Sequence, residues 1–268
     1  MSLLTPSGPI HAPNIAPKTP AEAYARYLKR SIFEGHWRCG SPLSEAALLE
    51  KLLKKHYRTQ LRADLDRLPP ERGRRSADEF SRRPLREALT ILSGRRLIER
   101  SSGGSARPRR LTSKDREQIF DARRMIEPNR AKKAAFACRS SPIARQRMEE
   151  VWSCLDFALD GPGGAGSYIE VDIAFHTEIA RLSSEVLALL VEITLEQTVV
   201  GGRRASEVTT YLRQQHQTKD RGAGIHAEHQ AIYQAIVDGD EARAEAEMER
   251  HLDAAEDQNK EVAFLLDL

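Results

Sequence analysis

The chain has 268 residues, 40% of them hydrophobic, and its 42 Lys+Arg against 39 Asp+Glu leave a formal charge of +3. That length and apolar content suffice for two packed domains. No run approaches the roughly 18 apolar residues of a membrane span, and the start MSLLTPSGPI lacks the basic head and apolar centre of a secretory leader, so a cytoplasmic protein is expected.

The net charge hides a division. Residues 1–112 hold 23 Lys+Arg and 11 Asp+Glu, a balance of +12, whereas residues 113–268 hold 19 and 28, a balance of −9. A basic N-terminal module that meets a polyanion, joined to an acidic module with another task, accounts for such asymmetry. The three cysteines, Cys39, Cys138 and Cys154, are odd in number and far apart, which argues against a disulfide framework and for small buried side chains.

In chain order, residues 1–20 contain Pro6, Pro9, Pro13, Pro17 and Pro20 and read as a flexible arm. Tyr24, Tyr27, Leu28 and Ile32 then recur at helical spacing, and Ser44 is placed to cap a second helix carrying Ala47, Leu48 and Leu52. A highly charged stretch at about 53–80 is broken by Pro69, Pro70 and Gly73. Ser81 is a suitable cap for a helix with Pro84 in its first turn and Leu85, Ala88, Leu89 and Leu92 on one face. LIERSSGGSARPRRL follows as two short arms about a Gly-Gly turn, a β-hairpin with a basic tip.

From Thr112 the pattern is helical, with stretches expected near 113–138, 142–160, 167–182, 184–214, 221–238 and 240–260, a turn at GPGGAG and a kink at Gly201-Gly202. The fold expected is mainly α. A winged helix-turn-helix with a small β-hairpin wing occupies 21–111, and an antiparallel all-α bundle occupies 112–268.

The helix opening SRRPLREAL sets Arg82, Arg83 and Arg86 at its N-terminal end, where the helix dipole disfavours positive charge. A recognition helix in the DNA major groove resolves this, because its first turn faces base edges and phosphates that hold arginine. Arg107, Arg109 and Arg110 on the wing extend the basic surface.

SRRPLREALTILSGRRLIER resembles the signature of GntR-family transcription regulators, through Ser81, Arg82, Pro84, Arg86, Glu87, Ala88 and Leu89, with Leu85 in place of Val. The resemblance implies DNA contacts from Ser81, Arg82, Arg83, Arg86 and Arg107, with Gly103 and Gly104 at the wing tip near the minor groove. One departure stands upstream. Ser44 and Ser81 are 37 residues apart, where the family needs about a dozen, so either the segment near 44–55 or LPPERGRRSADEF at 68–80 supplies the helix before the recognition helix.

In the C-terminal half, Asp172 and His176 are four apart and share a helix face, and His229 and His251 sit 22 apart on two helices joined at DGD, a length that sets both at similar heights. The motifs D-x-x-F-H, E-H-x-x-I-x-x-A-I-x-x-G-D and A-x-x-x-M-x-x-H-L, with ARRMIEPNRAKKAAFA at 122–137, resemble the FCD effector domain of FadR-like GntR regulators. Its metal-binding branch implies a divalent ion on Asp172, His176, His229 and His251, and a donor set of three imidazoles and one carboxylate suits zinc or nickel. His226 is an alternative to His229, and Ser184 an expected cap for the next helix.

The family further implies a small organic acid bound near the metal, with Arg123 and Arg124 as its binding residues; a salt bridge to Glu127 is the plain alternative for these arginines. The expected function is therefore a dimeric regulator, most often a repressor in this family, on a palindromic operator, with no membrane partner. A regulator in which the ion itself is the signal is the alternative. A metal-dependent hydrolase is a third reading, disfavoured because no side chain beyond the ligands stands out as a general base.

Overall fold

In the computed structural model the described residues are 17–33, 36–37, 40–53, 61–62, 65, 68, 81–160, 164–200 and 219–267. Residues 1–16 of the arm expected over 1–20, most of the basic stretch at 53–80, Cys39 and the expected kink at Gly201-Gly202 lie outside them, and Pro20 of that arm already opens the first helix.

Helix α1 (Pro20–Phe33) buries Tyr24, Tyr27, Leu28 and Ile32. The backbone then forms β1 (Leu43–Ser44), followed by α2 (Glu45–Leu53), where Ser44 Oγ accepts the Ala47 N–H at 3.1 Å. Helix α3 (Arg82–Gly94) turns Pro84, Leu85, Ala88, Leu89 and Leu92 into the same core. Ser81 precedes it in extended backbone (φ −123, ψ 166), but its side chain makes no capping hydrogen bond, contrary to expectation. The wing is β2 (Ile98–Arg100) and β3 (Ser105–Pro108), paired antiparallel with Arg100 opposite Ala106. Gly104 closes its turn at φ +78, a left-handed conformation that glycine adopts without steric cost.

Strand β1 adds a third member by pairing Leu43 with Ala106 and Ser44 with Ser105, in the order β1-β3-β2. This identifies α2, directly after β1, as a helix packed against α3, with Leu48 and Leu52 buried in the shared core. Leu61, Leu65 and Leu68 of the following stretch are buried in it as well.

The bundle consists of α4 (Ser113–Ser140), α5 (Pro142–Asp160), α6 (Gly164–Arg181), α7 (Glu185–Val200), α8 (Lys219–Val237) and α9 (Glu241–Asp267). Thr112 caps α4 reciprocally with Asp115: the Thr112 side chain accepts the Asp115 N–H, and the Asp115 carboxylate accepts the Thr112 N–H at 2.8 Å. Helix α4 runs through Pro128, which removes one backbone donor without ending the helix. Ser184 Oγ accepts the Leu187 N–H at 3.2 Å and caps α7 as expected. Gly239, at φ +73, turns the chain between α8 and α9 so that the two run alongside each other against α4.

The core does not stop at the boundary between the two units. Ile169, Ile173 and Ala180 of α6 and Ala188, Val191 and Leu195 of α7 belong to the same buried cluster as α1 and α3. A polar seam runs beside it. Glu196, fully buried, accepts from Lys29 Nζ at 2.6 Å and from Arg95 Nη1 at 3.0 Å, while Glu170 takes Arg30 at 2.7 Å. Arg109 gives Nη1 to Gln197 at 3.3 Å and Nη2 to Asp115 at 3.2 Å. It therefore ties the wing's base to the bundle and does not extend the basic surface as expected.

Candidate metal centre and basic face

Helix α6 places Asp172 and His176 one turn apart facing the bundle interior, and the α8–α9 pair brings His229 and His251 to them. His176, His229 and His251 are 1%, 1% and 6% exposed, and one ligating atom from each lies within 4.8 Å of the others. Asp172 Oδ1 is 3.0 Å from His229 Nε2 and 3.9 Å from His176 Nε2, and those two nitrogens are 3.3 Å apart.

The proton positions follow from the outer partners. His176 Nδ1 lies 2.7 Å from Glu127 Oε2. Burial alone raises the Glu127 carboxyl, but the charges of Arg123 and His176 and their hydrogen bonds outweigh it and bring it down to about 2, so Glu127 accepts and His176 donates. His229 Nδ1 meets the Ile225 carbonyl at 2.9 Å, which can only accept, and His251 Nδ1 meets Glu228 Oε2 at 2.9 Å. With Nδ1–H held by Glu127 and by the Ile225 carbonyl, the neutral rings of His176 and His229 turn Nε2 lone pairs inward.

Lone pairs beside a carboxylate repel unless a proton charges one ring or a cation sits among them. Burial, then the neighbouring His229, His176 and Arg123, holds His251 well below 6.5 and so keeps it neutral, the ligating form. Burial raises the Asp172 carboxyl, and His229, His176 and Arg123 overcome that and lower it. Separations of 3.0, 3.3 and 3.9 Å bracket the spacing of about 3.3 Å set by tetrahedral bonds of about 2.0–2.1 Å. Asp172, His176 and His229 are thus spaced for a divalent transition ion, and a ligating atom of His251 lies within 4.8 Å of those of the other two histidines.

Arg123 is 4% exposed and donates Nε to Glu127 Oε1 at 2.6 Å, so it stands behind His176 as part of a chain Arg123–Glu127–His176. Arg124 faces away, toward Asp253 at 3.1 Å and Glu256, and does not join Arg123 at the site. His226 also turns elsewhere: it stacks on Trp152 with ring centroids 5.1 Å apart and lies 3.1 Å from Asp156. Those two contacts on α5, and not helix spacing, hold it away from the cluster. Among residues that sequence reasoning left out of the site, Glu228 and Tyr168, whose hydroxyl lies 3.5 Å from His229 Nδ1, stand beside the ligands.

At the opposite end of the chain, Arg82, Arg83, Arg86, Gly103 and Arg107 are exposed, with Ser81 and Gly104 partly so. Arg83 pairs with Glu87 at 3.1 Å, Arg107 with Glu99 at 2.8 Å, and Arg86 with Glu45 at 2.6 Å. Glu45 also takes Arg100 at 3.2 Å, linking α2, α3 and β2 beneath the basic face. Arg82 has no acidic partner among the described residues.

The FCD domain profile matches residues 118–254, more than half of the chain and all four residues of the cluster. The chain belongs to the FCD domain family. No curated protein sequence matches this FCD chain. Among solved structures, E. coli McbR/YncC has 15% identity and a TM-score of 0.62, covering 93% of this chain and 99% of its own. A GntR transcriptional regulator from Rhodococcus sp. RHA1 has 22% identity and a TM-score of 0.59, covering 89% and 96%. The FCD chain therefore has the fold of these two structures over nearly its whole length, a winged helix-turn-helix followed by the helical FCD bundle.

Proposed function

We propose that this FCD protein is a transcription regulator that binds a palindromic DNA operator as a homodimer, most simply as a repressor, and that a small carboxylate metabolite bound beside a divalent ion controls it. Zinc or nickel on Asp172, His176, His229 and His251 would supply a Lewis-acidic point for the carboxylate. Arg123, not Arg124, is the arginine positioned to support the site.

One observation carries this reading. Helix α3 presents Arg82, Arg83 and Arg86 to solvent at one end, while Arg95 at its other end is held by Glu192 and Glu196 of α7 at 2.7 and 3.0 Å. Helix α6, which carries Asp172 and His176, holds Arg30 of α1 through Glu170. A change in the bundle thus reaches the DNA-facing helix through fixed contacts. For the dimer, Val186, Leu189 and Leu190 leave an apolar strip of α7 exposed at 72%, 48% and 43%, the kind of surface that a second copy covers.

Fluorescence anisotropy on DNA from the gene's own promoter tests the assignment. Arg82→Ala/Arg86→Ala should weaken binding by at least tenfold, as expected for losing base and phosphate contacts; equal affinity would sink the DNA reading. Elemental analysis should find about one ion per chain, lost in His229→Ala/His251→Ala. If chelation alone switches DNA binding with no organic acid present, the ion itself is the signal.

A further inference from the structure

We propose that the cavity between the winged-helix unit and the bundle is a second ligand site, which takes a zwitterion of the α-amino-acid type with an apolar side chain. The cavity encloses about 550 Å³ between α1, α3, α5, α6 and α7. That volume is typical of small-molecule sites, which favour domain interfaces. Ile91, Leu92, Val151 and Ile173 give it an apolar wall.

Thr177 also lines it, 4% exposed, with a buried Oγ1 that has no hydrogen-bond partner. A buried hydroxyl left this way costs free energy until a ligand or water meets it.

The charged lining separates into satisfied and unsatisfied parts. Lys29 and Arg95 are charge-paired with Glu196, and Arg95 with Glu192 as well. On α5, Arg147 Nε is ion-paired with Glu178 Oε1 at 2.6 Å, and its guanidinium N–H groups have no other partner among the described residues. Glu150, three residues on, accepts from Gln146 at 2.8 Å and forms no ion pair among the described residues. Residues three apart share a helix face, so one spare cationic donor group and one spare anionic acceptor stand side by side above an apolar wall.

A ligand carboxylate fits Arg147 and the Thr177 hydroxyl, its ammonium fits Glu150, and its side chain covers Val151 and Ile173. A simple anion would meet Glu150 unfavourably, and a simple cation would meet Arg147. The site is separate from the metal cluster, although both use α6: Asp172 and His176 face the bundle interior, whereas Ile173 and Thr177 face this cavity.

Isothermal titration of the full chain with L-leucine, L-isoleucine, L-methionine and L-phenylalanine at millimolar concentration tests the proposal. At least one should bind saturably, and the matching deaminated acid and decarboxylated amine should each bind about tenfold weaker or worse, the loss of one charge-assisted contact. Arg147→Gln, at a partly exposed position, and Glu150→Gln, at an exposed one, both checked for fold by circular dichroism, should each lower affinity about tenfold. His229→Ala/His251→Ala should bind the amino acid as wild type does, whatever becomes of the metal reading. Absence of saturable binding by all four, an acid or amine that binds as tightly as its amino acid, wild-type affinity in either α5 variant, or binding lost in the histidine variant would each overturn it.

Discussion

His176 Nε2 lies 3.3 Å from His229 Nε2, while Glu127 and the Ile225 carbonyl accept the two Nδ1–H groups, so that in the neutral rings the facing nitrogens are both lone pairs. Glu127 thus sets the tautomer of His176 while neutralising buried Arg123.

Glu127→Gln keeps an oxygen that can accept from His176 but removes the charge that balances Arg123. Removing the outer partner of a metal-ligating histidine costs about 10–100-fold in metal affinity, and leaving Arg123 without its counter-charge costs about 3–5 kcal/mol of stability. Competition with a chromogenic chelator and denaturant melts measure the two effects. Unchanged metal affinity would remove Glu127 from any role at the centre.

Acid should destabilise the metal-free chain in two stages. His251 is held well below 6.5 by burial and by His229, His176 and Arg123, so the unfolded chain takes up a proton that the folded chain refuses, and stability falls as pH drops below 6.5. Glu127 is lowered from 4.5 to about 2, so its contribution is present above 4.5 and disappears as pH falls toward 2. Thermal midpoints in chelator should decline from pH 6.5 to 4.5 and decline further below. His251→Gln should flatten the upper stage, and a midpoint that rises between pH 7 and 5 would contradict the sign.

The helices were legible because period-3.6 apolar spacing needs only local sequence: Tyr24, Tyr27, Leu28 and Ile32 are all buried. Strand β1 was not legible, since two residues show no alternation and Leu43 finds its partner at Ala106, far along the chain. The approach of Asp172, His176, His229 and His251 could be read from helix spacing plus one turn, but Glu127 could not be read as the partner of His176. An i,i+4 pair with Arg123 is local; a bond across 49 residues leaves no signature in spacing. Arg109 was misplaced for a related reason, because a run of arginines reports sign of charge and not direction, and this one points to Gln197 and Asp115.

Glu196→Ala should loosen the union of the two units. Its carboxylate is fully buried between Lys29 and Arg95, whose side chains are 20% and 31% exposed, so the abandoned cations can reach water and the loss is moderate, about 1–3 kcal/mol. Arg30–Glu170 and Arg95–Glu192 remain. Calorimetry should show one transition in the wild type separate into two in the variant, since cooperative unfolding of two units depends on the energy of their contact. A single unshifted transition would mean that the apolar part of the seam alone couples them.

Glu45→Ala bears on DNA recognition. Glu45 holds Arg86 at 2.6 Å and Arg100 at 3.2 Å, placing negative charge within the basic face while fixing the direction of an arginine on the helix proposed to enter the groove. Removing it frees both cations, so non-specific binding to random duplex should strengthen, with a steeper dependence on salt by about one phosphate contact. Specific binding should gain less, because a freed Arg86 loses the orientation needed for bidentate pairing with a base. The ratio of specific to non-specific affinity should therefore fall, and anisotropy titrations on promoter and scrambled duplexes at several salt concentrations measure it. If both duplexes gain equally, Glu45 acts only through its charge; if both weaken, its role is to hold α2 and β2 together beneath α3.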